Sequence, residues 1–118
     1  MSDTPLLEIC IDSVASAIAA EQGGAARVEL CQNLFEGGTT PSMGTVYHAL
    51  QQVGIKVNVI IRPRGGDFLY SDDEFAVMKN DIVALKEAGI NGVVIGMLNA
   101  DGTIDTERTR QLIELARP

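Results

Sequence analysis

Two short apolar runs near the start of the chain carry the same triplet, Glu8-Ile9-Cys10 and Glu29-Leu30-Cys31. In a strand, side chains two apart share a face. Glu8 and Cys10 therefore lie together, as do Arg27, Glu29 and Cys31, while Ile9, Val28 and Leu30 point the other way. If the two strands are neighbours, Cys10 and Cys31 meet near the strand ends. Two thiolates make a site for a soft cation such as Cu(I) or Zn(II). The competing reading is packing, because free cysteine is among the most buried residue types. The chain has no C-x-x-C, and its lone histidine, His48, falls inside a predicted helix.

Carboxylates on an interior face are costly unless paired, protonated or metal-bound. Glu8 and Glu29 need partners, and Arg27 and Arg62 are the expected ones. Arg62 opens the run Arg62-Pro63-Arg64-Gly65-Gly66-Asp67-Phe68, directly after an apolar strand. Its arginines suit a carboxylate or phosphate, and Asp67 suits acid/base work. Alternatively, the run is a structural loop whose charges neutralise the interior glutamates. A third segment, Glu36-Gly37-Gly38-Thr39-Thr40-Pro41-Ser42, leads into a helix N-terminus and reads as a connector or an anion site.

The elements that must position these groups follow a steady β-α period. Strands are expected at 6–11, 27–31, 57–61 and 92–97. Helices are expected at 14–22, 43–53, 72–88 and from 105 or 106 to 117. Asp12 or Ser13, Ser42, Ser71 or Asp72, and Asp105 or Thr106 supply the N-caps, and glycines at 23–24, 54 and 89 the stops. The strands are continuous apolar runs rather than alternations, as in a parallel sheet covered by helices. The class is α/β, either an open sheet or a TIM-barrel type. Ligands in such folds gather at the carboxyl ends of the strands. The first β-α junction is not G-x-G-x-x-G and no phosphate-binding P-loop occurs, which argues against nucleotide binding.

Composition narrows the class further. The 118 residues carry 9 Lys+Arg and 16 Asp+Glu, a formal charge of −7. With a pI near 4.5, the chain has no broad footprint for nucleic acid. No apolar run approaches the ~18 residues of a membrane span, and residues 1–5 carry no secretory signal. Two cysteines cannot staple a small secreted fold. A cytoplasmic protein is expected.

The stretches Leu7-Glu8-Ile9-Cys10-Ile11-Asp12-Ser13, Val28-Glu29-Leu30-Cys31, Glu36-Gly37-Gly38-Thr39-Thr40-Pro41-Ser42-Met43-Gly44 and Ile61-Arg62-Pro63-Arg64-Gly65-Gly66-Asp67-Phe68-Leu69-Tyr70-Ser71 resemble the CutC family of copper homeostasis proteins. The resemblance runs from about Leu6 to Pro118. It implies a cytoplasmic, often homo-oligomeric TIM barrel with a role in copper binding and tolerance, and it makes Cys10 and Cys31 the candidate Cu(I) ligands. Four βα units are half of a (β/α)8 barrel, and 118 residues are about half of a typical ~250. Residues 1–118 are therefore expected to form one CutC-like domain truncated at its C-terminal end. The family's second half, with a strand-end His, Arg and Asp, would begin after Pro118. A second reading keeps Glu8, Glu29, Arg62, Arg64 and Asp67 around one mouth. They would then serve an enzyme acting on a small anionic metabolite.

Overall fold

The computed structural model describes residues 4–118. Four strands, β1 (Glu8–Ile11), β2 (Arg27–Leu30), β3 (Lys56–Ile60) and β4 (Gly92–Val94), alternate with four helices. These are α1 (Val14–Gln22), α2 (Met43–Gln52), α3 (Asp72–Ala88) and α4 (Thr106–Ala116). All pairings are parallel, in the order β1-β2-β3-β4. The expected strands at 6–11 and 92–97 are longer than those found. Leu7 still accepts from Ala26 N–H, so its carbonyl joins the β2 segment outside the regular ladder. Beyond Val94 the chain leaves the sheet, and Leu98 bridges Ile104 in a turn instead.

The apolar alternation sets the layers. Val28, Leu30, Val57 and Val59 are fully or almost fully buried, on the face that the helices cover. Each such side chain contributes roughly 1.5–3 kcal/mol on leaving water. On α3, Phe75, Met78, Ile82 and Leu85 are buried. Their spacing of three and four residues draws one stripe along the helix. Leu112 is the fully buried anchor of α4.

Capping fixes where each helix begins. Ser13, Ser42, Ser71 and Asp105 each accept a backbone N–H of the first turn. Ser71 and Glu74 form a reciprocal capping box. The 32–41 segment holds a 3-10 turn at Leu34–Glu36 that no sequence signal announced. Gly54 does not cap α2, because Val53 already leaves the helix in an extended conformation.

The other sheet face has a polar floor. Glu8 Oε1 accepts from Arg27 Nε at 2.9 Å and from Asn58 Nδ2 at 2.8 Å. Asn58 Oδ1 in turn accepts from Asn91 Nδ2 at 2.8 Å. The chain of bonds crosses from β1 to the start of β4.

Among the described residues, β1 and β4 each pair on one side only, which leaves two rows of free backbone donors and acceptors. The expected outcome is self-association. Sedimentation velocity should show an s-value that rises with protein concentration, and a monomer at all concentrations would contradict it.

Candidate metal centre

The parallel register brings the two E-x-C triplets side by side. Cys10 is the partner of Glu29 across β1 and β2. Cys31 follows β2 directly, its N–H donating to Ile11 O at 2.8 Å. The Cys10 and Cys31 Sγ atoms lie 3.6 Å apart. With a Glu29 carboxylate oxygen they form a set whose ligand atoms all lie within 4.8 Å of one another. Cys10 is exposed and Cys31 is buried, so the cluster has one open side and one closed side.

Burial governs its electrostatics. It pushes the Cys31 thiol far above the ordinary value of 9.0, with the Cys10 thiol and the Glu29 carboxylate adding to the rise. The Cys10 thiol is also raised, chiefly by burial and then by the charges of Glu29, Glu8 and Asp12, against a hydrogen bond from Cys31. Burial likewise lifts Glu29, helped by the nearby Glu8 charge and opposed by hydrogen bonds from both thiols. Three groups that each resist ionisation therefore share one corner. A cation there would relieve all three.

Arg62 does not pair with the glutamates, contrary to the expectation from sequence. Its Nη1 donates to Glu36 O and Gly38 O, and its Nη2 to Gly66 O, each at 2.8 Å. The guanidinium also stacks over Phe68, 5.0 Å from the ring centroid. The physical reason is the loop path. Residues 36–38 and 62–66 converge beyond the end of β3, and their carbonyls reach the side chain first. Gly37 and Gly38 make the convergence possible. Both have positive φ, and a Cβ at Gly37 would stand 3.2 Å from Arg62 Nη1. Glu29 is left without an arginine among the described residues, and Arg27 serves Glu8 alone.

Arg64 and Asp67 also turn to their own loop. Arg64 donates to Glu74 and to Asp67 and lies over the Tyr70 ring. The Leu69 N–H, then Arg64, holds the Asp67 carboxyl below its ordinary range. The Ser71 N–H, then Arg64, does the same for Glu74. These charges tie the 62–71 loop to the start of α3. The expected mouth of five charged residues is thus divided: Glu29 stands with the cysteines, Glu8 in the floor, and Arg62, Arg64 and Asp67 in the loop. His48 is exposed on α2. Tyr70, buried beside Arg62, is a site residue that the motif chemistry did not single out. Its position eight residues after Arg62 gave no spacing signal.

A parallel βα array with a thiol–carboxylate cluster at its strand ends defines the class, an α/β protein built like half of a TIM barrel. The CutC family profile matches residues 5–118. The chain belongs to the CutC family. It is 57% identical over 113 residues to a CutC family protein of Chromobacterium violaceum, covering 96% of this chain and 46% of that one. It is 58% identical to a mouse copper homeostasis protein cutC homolog, covering 96% of this chain and 42% of that one. A crystal structure from Streptococcus agalactiae, named for copper homeostasis and CutC, superposes with a TM-score of 0.89 at 40% identity, covering 96% of this chain and 55% of that one. The chain spans about half the length of the curated relatives it matches. Among the described residues, no helix is long and apolar enough to cross a membrane.

The thiols predict a pH response. A neutral thiol held above its unfolded pKa stabilises the fold fully below about pH 9, and that contribution is lost as pH rises further. Urea midpoints of the parent should fall between about pH 8 and about pH 10. Cys31→Ala should show a lower plateau and a shallower fall. Parallel slopes for the two proteins would contradict the assignment.

Proposed function

We propose that the chain binds copper as Cu(I) in copper homeostasis, through the thiolates of Cys10 and Cys31. The observation that carries this reading is the convergence of two thiols and a carboxylate within 4.8 Å. The names of the mouse and Streptococcus relatives support copper as the ion. The donor set fits a soft monovalent cation. Two sulfurs bound to one metal at about 2.3 Å lie at most about 4.6 Å apart. The 3.6 Å separation falls inside that limit and short of a linear arrangement. A bent pair leaves room for a third donor, and the Glu29 carboxylate is the group in place. Zn(II) is less well served, since its structural sites take four ligands from Cys and His and no histidine belongs to the cluster.

Accessibility agrees with a carrier role. Cys10 is open to solvent while Cys31 is not, so the ion would meet Cys10 first and complete its coordination inward. Both thiols must lose their protons on binding. The reading places the protein in a reducing compartment such as the cytoplasm, where such thiols remain free.

Anaerobic titration with Cu(I) against bathocuproine disulfonate tests the proposal. The parent should withdraw one equivalent of copper. Cys10→Ser and Cys31→Ser should each lose that equivalent, and Glu29→Gln should bind about 10-fold more weakly. A double cysteine variant that competes as well as the parent would overturn the reading.

A further inference from the structure

One face of the sheet is a packed core and the other is open. Ile11, Val28, Leu30, Val57 and Val59 are buried beneath the helices. No inward-facing residue of the four strands is buried, from Glu8 and Cys10 on β1 to Gly92 and Val94 on β4. All-parallel sheets are almost always covered on both faces, so the inner face calls for a covering layer.

The two edges of the sheet are open in matching ways. Leu7 O accepts from Ala26 N–H, and Ile11 O from Cys31 N–H. The backbone groups of Glu8 and Cys10, out of phase with these, therefore point away from β2. At the far edge, Asn91 N–H donates to Val57 O, so those of Gly92 point away from β3. Apolar surface follows the same edges. Leu7 shares the face of Ile9 and Ile11 by the two-residue period, yet it is 53% exposed. α4 turns Arg108 and the Leu115 carbonyl toward α3, where they meet Asp72 and Lys86. Its opposite side carries an open groove of about 300 Å³ along Thr106, Arg110, Ile113 and Arg117, in which Ile113 is 42% exposed.

We infer that the chain pairs with a second copy of itself to close an eight-stranded barrel, with β4 of each copy adding parallel to β1 of the other. A two-fold axis running along the strands preserves their direction, so two identical contacts form at once. Two copies supply eight strands, the number with which a TIM barrel closes. In that arrangement α4 of one copy extends over β1 of the other, and the Ile113 groove receives Leu7. The charges allow the inner faces to meet. Glu8 and Glu29 are balanced there by Arg27 and Lys56, although the whole chain carries −7, so the excess negative charge stays outside. Closure uses both edges and therefore stops at two copies. The pairing does not rest on the copper reading.

Sedimentation equilibrium and hydrogen exchange on the whole chain test it. The mass should plateau at twice the 12.6 kDa of one chain. Amides in peptides covering residues 6–11 and 91–95 should both exchange at least ~10-fold more slowly in the dimer than in the diluted monomer. Leu7→Lys and Ile113→Lys change exposed positions, so both should fold like the parent by far-UV circular dichroism. Each should dimerise at least ~10-fold more weakly. Val77→Lys, a like change at an exposed position of α3, should dimerise within about 2-fold of the parent. A monomer at every concentration, or dimerisation unchanged by Leu7→Lys and Ile113→Lys, would overturn the pairing. So would growth past the dimer, which marks open edge-to-edge addition, or protection of one edge alone, which marks pairing of like edges.

Discussion

The register in which β1, β2 and β3 pair is the constraint on which the remaining structure depends. A parallel sheet offers each strand many offsets, and a shift of one residue would exchange the faces of a whole strand. Here Glu8 stands opposite Arg27 and Cys10 opposite Glu29. The Arg27–Glu8–Asn58 bonds tie the same three strands on the interior face, while Val28, Leu30 and Val59 fill the helix-covered face. Either set alone would oppose a slip, and both oppose the same one. The thiol cluster above the floor inherits its geometry from this agreement.

Much of this was legible from residue types, but unevenly. The four βα units followed from apolar runs and serine caps, and α3 begins and ends where Ser71 and Gly89 say it should. The meeting of Cys10 and Cys31 followed from the two-residue period once the strands were taken as neighbours. The partners of Arg62 did not. Sequence reading weighs side chains against side chains, and it looked for a carboxylate. The groups that win are backbone carbonyls, whose directions depend on loop conformation. Tyr70 escaped notice for a related reason, since its burial beside Arg62 depends on the loop path. The short β4 reflects a turn at Leu98 and Ile104 that outcompetes sheet extension through Gly96.

The charged loop after β3 separates two tasks that look alike in sequence. Arg62 and Arg64 are two residues apart and have opposite surroundings. Arg64 spends its donors on Glu74, Asp67 and nearby carbonyls, and this closes the loop onto α3. Arg62 is sealed inside, held by backbone carbonyls and flanked by the Phe68 and Tyr70 rings. Strict alternation would put both on one face. Arg62 continues the interior face of β3, but the chain has left the strand after Ile60, and Arg64 reaches Glu74 at the start of α3 instead.

Gly38 stands where these two worlds touch. Its carbonyl holds Arg62, and a methyl group on its Cα would sit 3.4 Å from the Cys31 sulfur and 3.5 Å from Ile60. Its φ of +95° is closed to most other residues. A side chain there would strain the backbone that presents its carbonyl to Arg62 and would stand against Cys31 and Ile60. The position is a shared point of genetic fragility, because the backbone conformation it sets serves both the thiol corner and the guanidinium clamp.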